Sequence, residues 1–148
     1  MTATTSEPAE RIRDSFSRQG LMATLGAVLG RIAPGEVEIA LVPSPGIGQQ
    51  HGFVHAGAVA AIADSAAGYA ALSLMSAGSG VLTTEFKINL LAPAQGDRLV
   101  ARGRVLKAGR TLTLAQSEVF AETAGGSRLV AFLTATLMTI EGRAGVAD

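Results

Sequence analysis

The chain has 148 residues, with 12 basic and 12 acidic side chains, two histidines and no cysteine. That length suits one domain with a real core, and the zero net charge excludes a dedicated polyanion binder, which needs a basic surplus. The lack of cysteine excludes a disulfide frame, a thiol nucleophile and a zinc–thiolate site, and 48% hydrophobic residues exclude bulk disorder.

Residues 1–6 are polar and are expected to fray. Ser6 as N-cap, Pro8 in the first turn and Glu7 and Glu10 near the positive end predict a helix start. Ile12, Phe16 and Gln19 form a narrow stripe, so this short helix should lie across a larger body. Between Leu25 and Val42, two short strands flank the turn Ala33-Pro34-Gly35-Glu36. Pro43 to Gln50 reads as a loop, and an alanine-rich helix follows over residues 56–77. Beyond Gly78-Ser79-Gly80 the period changes to two: Leu82, Thr84, Phe86, Ile88 and Leu90 should face one way, and Thr83, Glu85, Lys87 and Asn89 the other. Pro93 ends that strand. Three further strands fit residues 97–106, 111–122 and 128–140, joined by turns at Lys107–Arg110 and Ala124–Ser127. This order predicts a single α+β domain over 1–148, in which a curved antiparallel sheet wraps one long central helix.

Charge is distributed unevenly. From Ile39 to Thr84, 46 residues, the only formal charge is Asp64. A membrane span over 56–77 is a poor explanation: ten of those 22 residues are alanine, and a mid-membrane aspartate costs roughly 2.5–3.5 kcal/mol. No basic cluster or aromatic belt flanks the segment, and the acidic N-terminus is a poor signal peptide, so a cytoplasmic protein is expected. Within the helix, Val59, Ile62, Ala66, Tyr69 and Ser73 fall within about 80° of one another, a stripe assigned to the sheet. Asp64 lies roughly opposite, among Gly57, Ala60, Ala61, Gly68, Ala71 and Met75. A helix apolar on both faces needs a second cover, for which another copy of the chain is the economical candidate.

A carboxylate on such a face is partly desolvated, which raises its pKa toward values useful for base chemistry. Just before it runs the loop Gln49-Gln50-His51-Gly52-Phe53-Val54-His55-Ala56-Gly57. Unpaired N–H groups at the helix start could polarise a carbonyl, with Asp64 one or two turns inward delivering a nucleophile. The four-residue spacing of His51 and His55 resembles metal-ligand spacing, but no third ligand lies near in sequence, so no metal is expected.

The motif His51-Gly52-x-x-His55-x-Gly57, then Asp64, then Thr83-Thr84-Glu85-Phe86-Lys87-Ile88-Asn89-Leu90-Leu91-x-Pro93, resembles the hotdog-fold thioesterases of the PaaI-type (phenylacetate-degradation) branch. The resemblance runs from about Phe16 to Met138. It implies a hotdog fold, hydrolysis of acyl-CoA thioesters without a separate cofactor, and active sites between the subunits of a homodimer or a dimer of dimers. It further implies Asp64 as nucleophile or general base, and His55 as the motif histidine. The backbone amide just after it, at Ala56 or Gly57, would polarise the carbonyl. Gln49 would place the carbonyl or a water, and Thr83, with Thr84 next best, would come from the other subunit. One departure is that Ala56 stands where the first of two glycines is usual.

Arg98, Arg102, Arg104, Lys107 and Arg110 give five positive charges with no acid among them. They read either as a solvated edge that discourages strand pairing or, on the resemblance, as a landing site for CoA phosphates, with Arg104, Lys107 and Arg110 as candidates. Aromatic interleaving of the kind nucleic acid needs is absent. The main alternative function is a non-catalytic acyl-CoA-binding protein, suggested by Ala56; a hydratase ranks lower because both histidines precede the helix.

Overall fold

The computed structural model describes residues 7–148; the expected fraying of 1–6 and the Ser6 cap lie outside the described residues. The elements are α1 (Glu7–Arg18), α2 (Gly20–Leu25), β1 (Val28–Ala33), β2 (Glu36–Leu41), α3 (Ala56–Leu72), β3 (Gly80–Leu90), β4 (Arg98–Ala108), β5 (Leu112–Thr123) and β6 (Gly126–Ile140). The six strands form one antiparallel sheet in the order β1-β2-β4-β5-β6-β3, curved around α3 in the hotdog arrangement. No helix among the described residues is long and apolar enough to cross a membrane.

Alternation along the strands explains the wrapping. Ile39, Leu41, Leu99, Ala101, Val119, Leu133 and Leu137 are buried at alternating positions that face α3. The alanines of α3 let the helix lie close to the sheet. At Gly103 of β4 the approach is so tight that a Cβ would sit 2.2 Å from the Ala66 carbonyl oxygen. The β1–β2 turn is Pro34-Gly35, with Gly35 at φ 75°, as a proline–glycine turn requires; its N–H donates to Ser73 Oγ at 2.7 Å.

Three expectations need correction. Residues 20–25 form a second short helix, α2, closed by Gly26 in the left-handed conformation, with Gly26 N–H on the Ala23 carbonyl and Ala27 N–H on the Met22 carbonyl; the loop 43–50 contains a 3-10 turn at Pro45–Ile47. The long helix stops at Leu72, not 77. Arg11 of α1 sits at this end, donating to Leu72 O at 2.7 Å and, just beyond the helix, to Met75 O at 3.0 Å and Ser76 O at 2.8 Å, a cation on the negative end of a helix. The predicted stripe on α3 is rotated as well. Tyr69 packs on Phe16 of α1, ring centroids 6.0 Å apart, while Gly68 lies against Leu137 of β6. Helix α1 therefore supplies part of the second cover, and Ala60, Ala61, Asp64 and Ser65 stay half-buried.

Candidate active site

The loop before α3 is closed by short backbone bonds: Gln49 N to Phe53 O at 2.8 Å, Val54 N to Ala94 O at 2.9 Å and His55 N to Ile47 O at 2.9 Å. Gln49 Oε1 accepts from the His51 N–H and, at 3.4 Å, from the Phe53 N–H. With its oxygen held, the Gln49 amide NH2 has no partner among the described residues and is free to donate. His55 is the N-cap of α3, and its Nδ1 accepts from Gly57 N at 2.8 Å, which puts the proton of the neutral ring on Nε2. A Cβ at position 57 would lie 3.0 Å from that nitrogen. The His55 carbonyl takes the N–H groups of Ala58 and Val59. Of the two amides proposed to polarise a carbonyl, Gly57 is thus spent on the cap, and Ala56 N–H is without a partner among the described residues. Gln49, Phe53, His55 and Ala56 line a cavity of about 570 Å³ whose other walls include Leu90, Leu91 and Pro93.

Asp64 opens into a different cavity, of about 530 Å³. Thr83 Oγ1 donates to Asp64 Oδ1 at 2.7 Å. Burial raises the Asp64 pKa above the ordinary carboxylate value, and the Thr83 hydrogen bond opposes this in part. Thr83 can reach inward because β3 carries a bulge between Thr83 and Glu85. Phe86, Ile88 and Leu90 lie opposite Ala135, Leu133 and Ala131 as a strict alternation predicts, but before the bulge the phase reverses. Leu82 pairs with exposed Met138 and Thr83 with buried Leu137. Thr83 therefore meets the aspartate of its own chain. Thr84, the bulged residue, has its hydroxyl on Thr136 O at 3.1 Å.

One chain does not bring the two groups together. Asp64 lies eight residues beyond Ala56 on α3, about 12 Å along the axis. Within one chain a single carbonyl therefore does not touch both the helix-start donors and the Asp64 carboxylate two turns inward.

The basic stretch also reads differently in space. β4 lies between β2 and β5, so it is no edge, and its neighbours supply the acids its own sequence lacks. Arg98 Nη2 lies 2.7 Å from Glu122 Oε2, and Arg102 Nε 3.2 Å from Glu38 Oε1, with the Arg102 guanidinium 4.8 Å above the Phe120 ring. Arg104 shares the outer face of the sheet with them, in register with Glu36 and Gln116. Lys107 pairs with Leu114, and Arg110 sits in the β4–β5 turn beside the end of α3, near Leu74 and Met75. None of the three lines either cavity described above. Among the described residues no group of three or more His, Asp or Glu is placed to hold a metal ion.

The family description "Thioesterase superfamily" matches residues 51–127, a span that holds the histidine–glycine loop, Asp64 and Thr83. The chain belongs to the thioesterase superfamily. A crystal structure of a thioesterase family protein from Silicibacter pomeroyi is 50% identical, covers 91% of this chain and 99% of its own, and superposes with a TM-score of 0.89. Two more distant structures share the fold. The PaaI protein from the phenylacetic acid degradation operon of E. coli is 19% identical over 95% of both chains, with a TM-score of 0.80. A thioesterase from Haemophilus influenzae is 20% identical over 89% of this chain and 90% of its own, with a TM-score of 0.78. No curated protein matches the chain.

Sequence reasoning missed the polar wall beside Asp64. Ser65 Oγ donates to Gln19 Oε1 at 3.0 Å, Gln19 Nε2 donates to the Tyr69 hydroxyl at 3.1 Å, and Tyr69 meets Ser15 Oγ at 3.2 Å. Ser15 in turn donates to Asp148 Oδ1 at 2.7 Å. The only sequence signal was a lone tyrosine on the alanine helix, four residues after Ser65, with no spacing to the distant Asp148.

Proposed function

We propose that this superfamily member hydrolyses acyl-CoA thioesters, as a PaaI-type enzyme, to the free acid and CoA. The carrying observation is Asp64, the one acid on α3, made more basic by burial and oriented by Thr83. Ionised, it takes a proton from water as the water oxygen bonds to the thioester carbon, or it attacks that carbon itself. The carbonyl oxygen gathers negative charge and accepts hydrogen bonds that the Ala56 N–H and the Gln49 amide NH2 are free to donate. The C–S bond then breaks. In the base route the CoA sulfur takes the proton that Asp64 removed from water. In the nucleophilic route CoA leaves as the thiolate and takes a proton from solvent, and water hydrolyses the acyl–Asp64 anhydride to the free acid and the restored carboxylate.

The working unit in this reading is a dimer of identical chains. β3 is an edge strand of 11 residues with Leu82, Phe86 and Leu90 about half exposed, and an edge of that length and character calls for a pairing partner. Near its start Val81, Leu82 and Thr83 line the Asp64 cavity, and its last residue, Leu90, lines the cavity of Ala56 and Gln49. Two-fold antiparallel pairing of β3 with β3 of a second copy sets the start of one strand beside the end of the other. The Asp64 of each chain then faces the Ala56 amide of its partner, which closes the 12 Å gap left in one chain.

Thiol release from a panel of short, medium, long and aryl acyl-CoA thioesters tests the proposal. The unaltered protein should release CoA, and Asp64→Asn should lower the rate by about 10²-fold or more with the fold retained. Saturable acyl-CoA binding with no release above background would instead establish the non-catalytic binder, and sink the enzyme.

A further inference from the structure

We propose that residues 142–148 form a strap that walls the Asp64 cavity and limits the length of acyl chain it admits, an inference that rests on the thioesterase reading above. After β6 the chain turns back along the start of β3. Asp148 N donates to Ser79 O at 3.1 Å, and its carboxylate accepts from Val81 N at 3.4 Å and from Ser15 Oγ at 2.7 Å. Arg18 Nη2 lies 4.0 Å from the same carboxylate. Between these anchors Val146 crosses Gly80 so closely that a Cβ there would stand 2.7 Å from the Val146 carbonyl oxygen. Of residues 141–148 only Val146 and Asp148 are partly buried, so the strap is held at these two points and otherwise lies in solvent.

The direction of each hydrogen bond in the wall can be assigned. Ser15 spends its proton on Asp148, so the Tyr69 hydroxyl must donate to Ser15 Oγ, which leaves it accepting from Gln19. The relay runs Ser65, Gln19, Tyr69, Ser15, Asp148, from the neighbour of the proposed catalytic carboxylate to the tip of the strap. Its members are largely satisfied by one another, so this wall acts on a ligand by shape more than by recognition. The remaining lining includes Leu21, Ala61, Val81 and Leu82. Two carboxylates, Asp64 and Asp148, against one Arg18 make the cavity a poor seat for CoA phosphates and suit it to the acyl group.

The test compares thiol release from straight-chain acyl-CoAs, acetyl to dodecanoyl, by the unaltered protein, by a variant lacking 142–148 and by Gly80→Ala. The last keeps the strap but pushes it off by steric contact, and it answers the question if the shortened chain does not fold. Both variants should move the preference to longer chains. The kcat/KM for chains beyond the original limit, relative to acetyl-CoA, should rise about tenfold or more, mainly through KM. A change by the same factor at every chain length, or none, overturns the strap while leaving the thioesterase intact. No thiol release by the unaltered protein from any of these or from aryl thioesters overturns both.

Discussion

Asp64 sits where its surroundings resist its charge, and the consequences for rate and stability have opposite signs. Either role, nucleophile or base, requires the ionised form, so activity should rise with pH through an Asp64 midpoint above the ordinary value of 3.8. The Thr83 hydrogen bond lowers that pKa, so Thr83→Val should shift the acid limb of the pH–rate profile upward. For stability, a raised folded pKa means that the folded chain binds more protons than the unfolded one between 3.8 and the folded value. The contribution of Asp64 is fully present below 3.8 and is lost as pH rises through its folded pKa. Asp64→Asn, which keeps an acceptor for Thr83 without the charge, should therefore melt higher than the parent at neutral pH. The difference should shrink as pH falls toward 3.8, as read by thermal unfolding across a pH series. At this scale Asp64 was legible in the sequence, because a charge gap of 46 residues is a local property. The inward aim of Thr83 was not, because a bulge of one residue reverses a strand's faces and leaves the composition unchanged.

Between elements, the closest packing is α3 on β4. Gly103→Ala would drive a methyl into the Ala66 carbonyl, 2.2 Å away. The helix would have to lift along the sheet, so the variant should lose about 3 kcal/mol or more in denaturant unfolding. Such a glycine is silent in a sequence, since nothing at Arg102-Gly103-Arg104 says what lies above it. The strands β4, β5 and β6 were readable because alternation and turn residues are local signals. Helix α2 escaped because Gly20 and six residues give no periodicity to detect. The Arg11 contacts escaped because they join residues more than sixty positions apart. The basic stretch misled in the same way: the acids that pair Arg98 and Arg102 come from β2 and β5, far off in sequence.

For the whole molecule, the 12 Å between the Ala56 amide and Asp64 on α3 decides how a site can be built. If each site takes its carboxylate from one chain and its helix start from the other, two inactive variants should complement. Mixing Asp64→Asn with Gln49→Ala through unfolding and refolding puts both lesions in one site of a mixed dimer and leaves the other intact. Random pairing should then restore about a quarter of the parent activity. If both groups of a site came from one chain, every site would carry a lesion and the mixture would stay as inactive as its components.

By itself the sequence determined the class of fold, the apolar central helix, the lone acid on it and the histidine–glycine start before it. Each depends on residue type and spacing along a few turns or one strand. The tertiary structure decided which amide at the helix start stays free, which way Thr83 points, how Tyr69 is linked to Asp148, and that Ala56 and Asp64 open into different cavities. Those outcomes turn on hydrogen-bond partners, a bulge and distances between residues remote in sequence, which chain position alone does not encode.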